Sequence, residues 1–267
     1  MKPSDHAGGG ARATRARGAT ERRIGLARAL SKLGYCSRSR AALLIRDGKV
    51  RLNGRVRRDA ETPVRLGVDK IHVEEQPVAA KDFVYLAMNK PRGIVTTASD
   101  EKGRATVYSL LYDASLYKDL PWVAPVGRLD KASEGLLLLT NDSEWGGRIS
   151  SPDSQLEKTY HVQVRCPSSL ALVEALSSGG ESRGELLRAK SVALLREGAR
   201  NVWLEITLLE GKNRHIRRMI ESCDAEVLRL IRVSIGPLQL GNLAKGMVRE
   251  LSSREKDALD GAVTLRG

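Results

Sequence analysis

Three short segments of the chain set chemically able side chains among apolar ones. In residues 126–142, Arg128, Asp130, Lys131, Ser133 and Glu134 follow Val126 and precede the apolar run Leu136-Leu137-Leu138-Leu139. A carboxylate on a loop held between two strands is well placed to accept a proton or attack an electrophilic carbon. Taken alone, an aspartate in a loop is more often a turn or cap residue. The second segment, 156–162, carries Lys158, Tyr160 and His161 among Leu156 and Val162. In the third, Gly211-Lys212-Asn213 reads as a turn into a helix on which Ile216, Met219, Ile220 and Cys223 form an apolar stripe. Arg214, Arg217 and Arg218 then leave from its other faces, with Arg218 expected on a solvated one. The three cysteines (Cys36, Cys166, Cys223) and four histidines (His6, His72, His161, His215) are scattered, so spacing suggests no metal cluster. Unpaired thiols fit a reducing cytosol.

Strands must hold these segments. Apolar runs predict them at 84–88, 122–126, 136–140, 159–165, 192–195 and 201–209, with Asn89-Lys90-Pro91-Arg92-Gly93 as a turn. Helical periodicity appears near 106–111, 143–150, 168–177 and 213–223. Strands and helices do not alternate strictly, which predicts an α+β domain on a mainly antiparallel mixed sheet over 81–267. The longest strongly apolar run is four leucines, far short of the roughly 18 residues a membrane helix needs.

The front of the chain differs. Residues 1–80 hold 18 Lys/Arg against 8 Asp/Glu, a net +10, whereas the remaining 187 residues carry only +3 of the total +13. Such asymmetry points to a polyanion-binding appendage on a nearly balanced body. Residues 1–23 contain no Leu, Ile, Val or aromatic, so a disordered basic tail is expected there. From 24 to 80 the pattern is that of a small folded unit. Leu26, Leu30 and Leu33 share a helix stopped by Gly34. Ser37 or Ser39 caps a second helix, in which Ala42, Leu43 and Ile45 face inward and Arg38, Arg40 and Arg46 outward. Val50-Arg51-Leu52 runs into an Asn53-Gly54 hairpin followed by Arg55, Arg57 and Arg58.

The ordered text Arg28-Ala29-Leu30-Ser31-Lys32-Leu33-Gly34, Ser37-Arg38-Ser39-Arg40 and Gly48-Lys49-Val50-Arg51-Leu52-Asn53-Gly54 resembles the S4 RNA-binding module. Gly127-Arg128-Leu129-Asp130 followed by Gly135-Leu136-Leu137-Leu138-Leu139-Thr140-Asn141-Asp142 resembles the signature of pseudouridine synthases. The segments 89–93, 156–162, 210–219 and 230–238 are similar to that family's other motifs, in the family's order. Five ordered matches, with an S4-like module in front, identify the RsuA type of ribosomal RNA pseudouridine synthase as the branch resembled.

The resemblance implies that Asp130 is the catalytic carboxylate, that Tyr160 lies against the target base, and that Arg217 forms an ion pair with Asp130. It implies substrate or RNA contacts at Arg128, Lys90, Ile216, Lys158 and Arg214, and at Arg28, Arg38, Arg40, Arg51 and Arg55 of the S4-like unit. Asp130 would act on the ribose either as a nucleophile at C1′ or as a base at the 2′ position. The family often has Gln where this chain has His215, for which packing or RNA contact is expected rather than proton transfer. The isomerisation gains no atoms, so no cofactor or metal is expected. The expected setting is cytoplasmic, as a monomer on ribosomal RNA or an assembly intermediate. Residues 230–232 and 240–243 lean towards large-subunit enzymes, hence 23S over 16S RNA.

Other classes fit less of the chain. A noncatalytic RNA-binding factor would explain 24–78 but leave the segments around Asp130, Tyr160 and Arg217 without purpose. An S4-bearing methyltransferase would need a Gly-rich loop after a strand, and a tyrosyl-tRNA synthetase His-x-Gly-His and Lys-Met-Ser-Lys-Ser. The chain has none of these.

Overall fold

A computed structural model describes residues 23–98, 100, 102–113, 120–166 and 168–264. The basic tail expected over 1–23 therefore lies outside the described residues, apart from Arg23.

The N-terminal unit runs β1 (Ile24–Gly25), α1 (Leu26–Lys32), α2 (Arg38–Arg46), β2 (Val50–Leu52), β3 (Arg55–Arg57), β4 (Pro63–Val64), β5 (Ile71–Val73) and β6 (Gln76–Pro77). Its four-stranded sheet has the order β3-β2-β5-β6, and β1 pairs separately with β4. Ser37 caps α2, its hydroxyl accepting from the Arg40 amide at 3.2 Å. Asn53 and Gly54 both take positive φ, 51° and 80°, the backbone that lets a two-residue turn follow the twist of β2 and β3. Leu26 and Leu30 of α1 and Leu44 and Ile45 of α2 pack on Val50, Leu52, Ile71 and Val73. Leu43, expected inward, is instead 44% exposed. At about 100° per residue, Leu44 rather than Leu43 shares the face of Ala41 and Ile45.

The second unit runs β7 (Tyr85–Lys90), α3 (Val107–Asp113), β8 (Ala124–Val126), β9 (Glu134–Thr140), α4 (Ser143–Ser150), β10 (Lys158–Arg165), α5 (Ser169–Ser178), β11 (Gly180–Ser182), β12 (Glu185–Leu187), β13 (Ser191–Glu197), β14 (Val202–Leu208), α6 (His215–Glu221), β15 (Glu226–Ile235), β16 (Leu238–Gln239), β17 (Val248–Glu250) and α7 (Ser253–Thr264). Its main sheet has the order β13-β14-β10-β15-β9-β7-β17, with β8 on β9 and β16 on β15. Every pairing in it is antiparallel except β15 with β9. This is the α+β architecture with a mixed, mainly antiparallel sheet.

Sequence periodicity alone missed β15, the strand that joins the two halves of the sheet. Its run Glu226–Ile235 is shared between both neighbours and carries two register shifts against β10, which break strict alternation. It also missed the β11–β12 hairpin, β16, β17 and α7, and it ended β7 two residues early, since Asn89 and Lys90 still pair with Leu136 and Gly135. Two apolar clusters hold the sheet. Leu137, Leu139, Tyr160, Val162, Leu204 and Ile206 meet α5 and α6 through Leu172, Leu176, Ile216 and Ile220. Leu136, Leu138 and Ile235 meet α4 and α7 through Trp145, Ile149 and Leu259. No helix among the described residues is long and apolar enough to cross a membrane.

The two units touch where the Trp122 amide donates to Gly34 O at 2.9 Å and Lys32 Nζ meets Glu144 Oε1 at 2.7 Å.

Candidate active site

The loop 127–133 leaves β8 and returns as β9, and its backbone is tied down from Leu129 to Ser133. The Thr96 hydroxyl donates to Leu129 O at 2.8 Å. The Ser133 amide closes a turn on Asp130 O at 3.0 Å, and the Gly93 amide donates to Lys131 O at 2.7 Å. Arg217 Nη2 reaches from α6 to Ala132 O at 3.0 Å. Asp130 is thereby held half-exposed on a fixed backbone, the arrangement that pre-organises a reacting carboxylate.

Beside it lies a cleft of about 410 Å³, within the size range of small-ligand sites. It is lined by Arg128 and Asp130 from the loop, Lys158 and Tyr160 from β10, and Arg214, His215, Ile216 and Arg217 around the start of α6. Leu208, Leu230 and Ile235 add apolar wall, and Arg232 of β15 a further cation. Arg128, Lys158, Lys212, Arg214, Arg217 and Arg232 face only two carboxylates in this lining, Asp130 and Glu210. Such a surplus favours a polyanion. A second hollow, of about 750 Å³, lies between residues 237–243 and α7. Of its three charged residues, Arg249, Arg254 and Glu255, the first and last are bonded to each other at 2.6 Å, and it gathers no comparable set.

The cleft brings together seven residues singled out from the sequence: Asp130, Tyr160, Arg217, Arg128, Ile216, Lys158 and Arg214. Two details differ from expectation. Arg217 makes its hydrogen bond to the Ala132 carbonyl, and no ion pair with Asp130 forms among the described residues; Asp130 acts on it only through the longer-range field. Burial lowers the Arg217 pKa, the nearby Arg214 adds to this, and Asp130 opposes it. Arg218 is not on a solvated face: it is 5% exposed, and its guanidinium bonds Glu185 Oε2 at 2.6 Å and the Ser182 carbonyl. It clamps the β11–β12 hairpin onto α6.

Lys90, expected to contact RNA, is not at the surface. It is fully buried beneath the loop, donating to Ile94 O at 2.7 Å and Pro91 O at 3.1 Å. Burial pushes its pKa down to about 8, against the pull of Asp130 and Glu134. Lys158 is also lowered to about 8, by burial and then by the Arg232 cation. Of the N-terminal arginines, Arg28, Arg38, Arg40 and Arg55 are exposed. Arg51 is half-buried and paired with Glu75 at 2.9 Å.

Sequence reasoning missed Arg232 and, having noted Ser133 and Glu134 in the loop, gave them no role in the site. Glu134 is buried and takes Arg229 at 3.0 Å and Lys245 at 2.6 Å, anchoring the end of the loop. Arg232 donates from Nε to Leu136 O at 2.7 Å while its Nη2 has no protein partner. An arginine inside the apolar run Leu230-Ile231-Arg232-Val233 was the available signal of a buried cation. Among the described residues the buried side-chain atoms without a partner are Arg57 Nε, Ser133 Oγ, both His215 ring nitrogens, Arg217 Nε and Arg232 Nη2. All but the first belong to residues lining the cleft. Unsatisfied buried polar atoms are rare in folded proteins, and their concentration here is what a polar ligand would relieve.

The chain is similar to known proteins along both of its units. Residues 84–222 match the family model of RNA pseudouridylate synthase, and residues 24–69 that of the S4 domain. The chain is 34% identical over 234 residues to "Ribosomal large subunit pseudouridine synthase B" of Bacillus subtilis (strain 168), covering 86% of this chain and 93% of that one. It is 36% identical over 239 residues to an uncharacterized RNA pseudouridine synthase of Aquifex aeolicus (strain VF5), covering 89% and 94%. A crystal structure of a pseudouridylate synthase superposes with a TM-score of 0.59 at 30% identity, covering 88% of this chain and 99% of that one. The protein belongs to the RNA pseudouridylate synthase family and is an isomerase of RNA uridines. Its S4 domain followed by the synthase domain is the RsuA-type arrangement.

Proposed function

We propose that the enzyme isomerises one uridine of ribosomal RNA, in the large subunit, with Asp130 as its catalytic carboxylate. The observation that carries this reading is the convergence of Asp130, Tyr160 and Arg217, from three separate elements, on one cleft rich in cations. The large-subunit choice is supported by the Bacillus subtilis relative, whose name specifies that subunit.

In this reading residues 24–80 act as a domain that grips structured RNA through the phosphates, with Arg28, Arg38, Arg40, Arg51 and Arg55 as contacts. The tail at 1–23 adds nonspecific affinity. The target nucleotide leaves its stack to enter the cleft, since its ribose cannot be reached inside a helix. Arg128 and Arg214 hold its backbone, and Lys158 adds a half-buried positive charge beside it. Tyr160 stacks on the uracil over Ile216. Asp130 then acts on the ribose, as a nucleophile at C1′ or as a base at the 2′ position. The N1–C1′ bond breaks, the base turns, and C5 bonds C1′; C5 gives up its proton and N1 gains one, so atoms balance. Arg217 holds the loop that carries Asp130, and Lys90 supports it from below rather than touching RNA. The enzyme works as a cytoplasmic monomer, which its free cysteines suit.

The test is Asp130→Asn. The variant is expected to bind rRNA with unchanged affinity and make no pseudouridine, read by mass spectrometry of its rRNA after carbodiimide derivatisation, which tags pseudouridine and not uridine. Retained isomerisation refutes the assignment.

A further inference from the structure

His215 is the first residue of α6, at the point where the chain turns out of the cleft rim into the helix. It is 3% exposed and lines the cleft, yet neither of its ring nitrogens has a partner among the described residues. A buried imidazole normally gives its N–H to a carbonyl or carboxylate and so fixes its tautomer. Here both functions, one donor and one acceptor, are left for something that enters the cleft.

We infer that His215 is a substrate-binding residue, hydrogen-bonding as a neutral imidazole to an uncharged group of the bound nucleotide: an edge of the flipped base or a ribose hydroxyl. This rests on the reading that a uridine of RNA enters this cleft. The groups facing His215 are Glu210 and Lys212 on the rim, Arg218 of α6 and Glu185 of β12. Glu210 is bonded to Lys212 at 3.0 Å and Glu185 to Arg218 at 2.6 Å, so these charges largely cancel at the ring. Burial dominates and lowers the His215 pKa, which keeps the ring neutral at physiological pH. A neutral ring with a bare nitrogen is a poor receptor for phosphate, and the cleft already offers phosphates Arg128, Lys212 and Arg214. What it suits is a carbonyl, an imide N–H or a hydroxyl. The adjacent Ile216 and Tyr160 line the same cleft, which puts a nucleoside rather than a phosphate beside it.

The test compares full-length wild type, His215→Leu and His215→Gln on transcripts of the organism's own large- and small-subunit rRNA. Pseudouridine is counted by mass spectrometry after carbodiimide derivatisation, and melting temperature is measured alongside. His215→Leu is expected to raise KM about tenfold, the effect of one lost hydrogen bond, with kcat changed much less. His215→Gln, which keeps a donor and an acceptor, is expected to restore KM. Wild-type KM is expected to rise as pH falls below the ordinary histidine range, and His215→Gln to remove that rise. A Leu variant within twofold of wild type in KM overturns the inference. So does a Gln variant as impaired as Leu at equal melting temperature. If Leu does not fold, the Gln variant's pH profile decides. Binding of a synthetic stem-loop with 2′-deoxyuridine at the target separates the two sources: a Leu defect that vanishes assigns the ribose, and one that persists assigns the base. Wild type inactive on both rRNAs refutes the ribosomal target instead, and the same comparison on total RNA then decides His215.

Discussion

Gly135 and Arg232 meet backbone to backbone. A Cβ on Gly135 would lie 2.3 Å from Arg232 O and 2.7 Å from Arg232 N, and Gly135 holds φ at +101°. This contact lies in the sheet's parallel pairing, where Ile231 and Arg232 face Glu134 and Gly135. It draws the first residues of β9, and with them the Asp130 loop, against the strand that carries Arg232. Gly135→Ala therefore meets backbone rather than a movable side chain. A loss of about 3 kcal/mol or more is expected, from the strained φ and the separation of β9 from β15. Urea unfolding of the two proteins measures it, and a loss under ~1 kcal/mol would show that the pairing adjusts freely.

Arg217 steadies the loop that carries Asp130 by donating to Ala132 O, two residues past that aspartate. Arg217→Met keeps much of the volume but removes that bond and the nearby charge. A displaced carboxylate of this kind costs on the order of 10²-fold in rate. Single-turnover assays are expected to show that loss with rRNA affinity nearly intact. Arg217→Lys should recover little, because an ammonium cannot reproduce the planar fork. Full activity in either variant would remove Arg217 from the site.

Lys90 ties pH to stability. Its folded pKa, about 8, lies below its ordinary value of 10.5. Below pH 8 the lysine is charged in both folded and unfolded chains, and the folded state carries the full cost of burying that charge. Between pH 8 and 10.5 the folded state sheds the proton first, so the cost fades and this group's contribution to stability rises with pH. Lys158, lowered in the same direction, is common to wild type and Lys90→Met. The melting temperature of wild type is therefore expected to gain on that of Lys90→Met between pH 8 and 10. Parallel curves would mean that Lys90 titrates normally.

Arg28, Arg38, Arg40 and Arg55 are exposed cations on the small N-terminal domain. Replacing all four with Gln is expected to weaken rRNA binding at low salt. It should also reduce the slope of log affinity against log salt by about one unit per lost phosphate contact. Arg51→Gln should matter less, because Glu75 already offsets its charge. Filter binding across a salt series reads both effects, and an unchanged slope excludes these four from the phosphate contacts.

The grouping of these residues is legible in the sequence, because motif order carries information that single residues do not. Asp130, Tyr160 and Arg217 were recognisable, and seven of the residues chosen do line one cleft. What sequence order could not reveal was depth and reach. Lys90 looked like an exposed turn cation and is fully buried; Arg218 looked solvated and is a clamp on a hairpin. The Arg217 link to Asp130 was expected to be direct and runs through a backbone carbonyl. Each outcome depends on contacts between residues far apart in the chain, to which local periodicity is blind. The strand β15 escaped for a related reason: its register shifts disguise the alternation by which strands are read.

The position of β15 bears on how the enzyme comes into being. Among the described residues it alone hydrogen-bonds to both β10 and β9, so the main sheet exists as two unconnected halves until residues 226–235 arrive. Asp130 belongs to one half and Tyr160 to the other. During synthesis the N-terminal RNA-binding domain can be complete while the cleft is not, and closure demands contacts of long sequence separation, which form slowly. A nascent or C-terminally clipped chain would thus hold RNA without the means to change it.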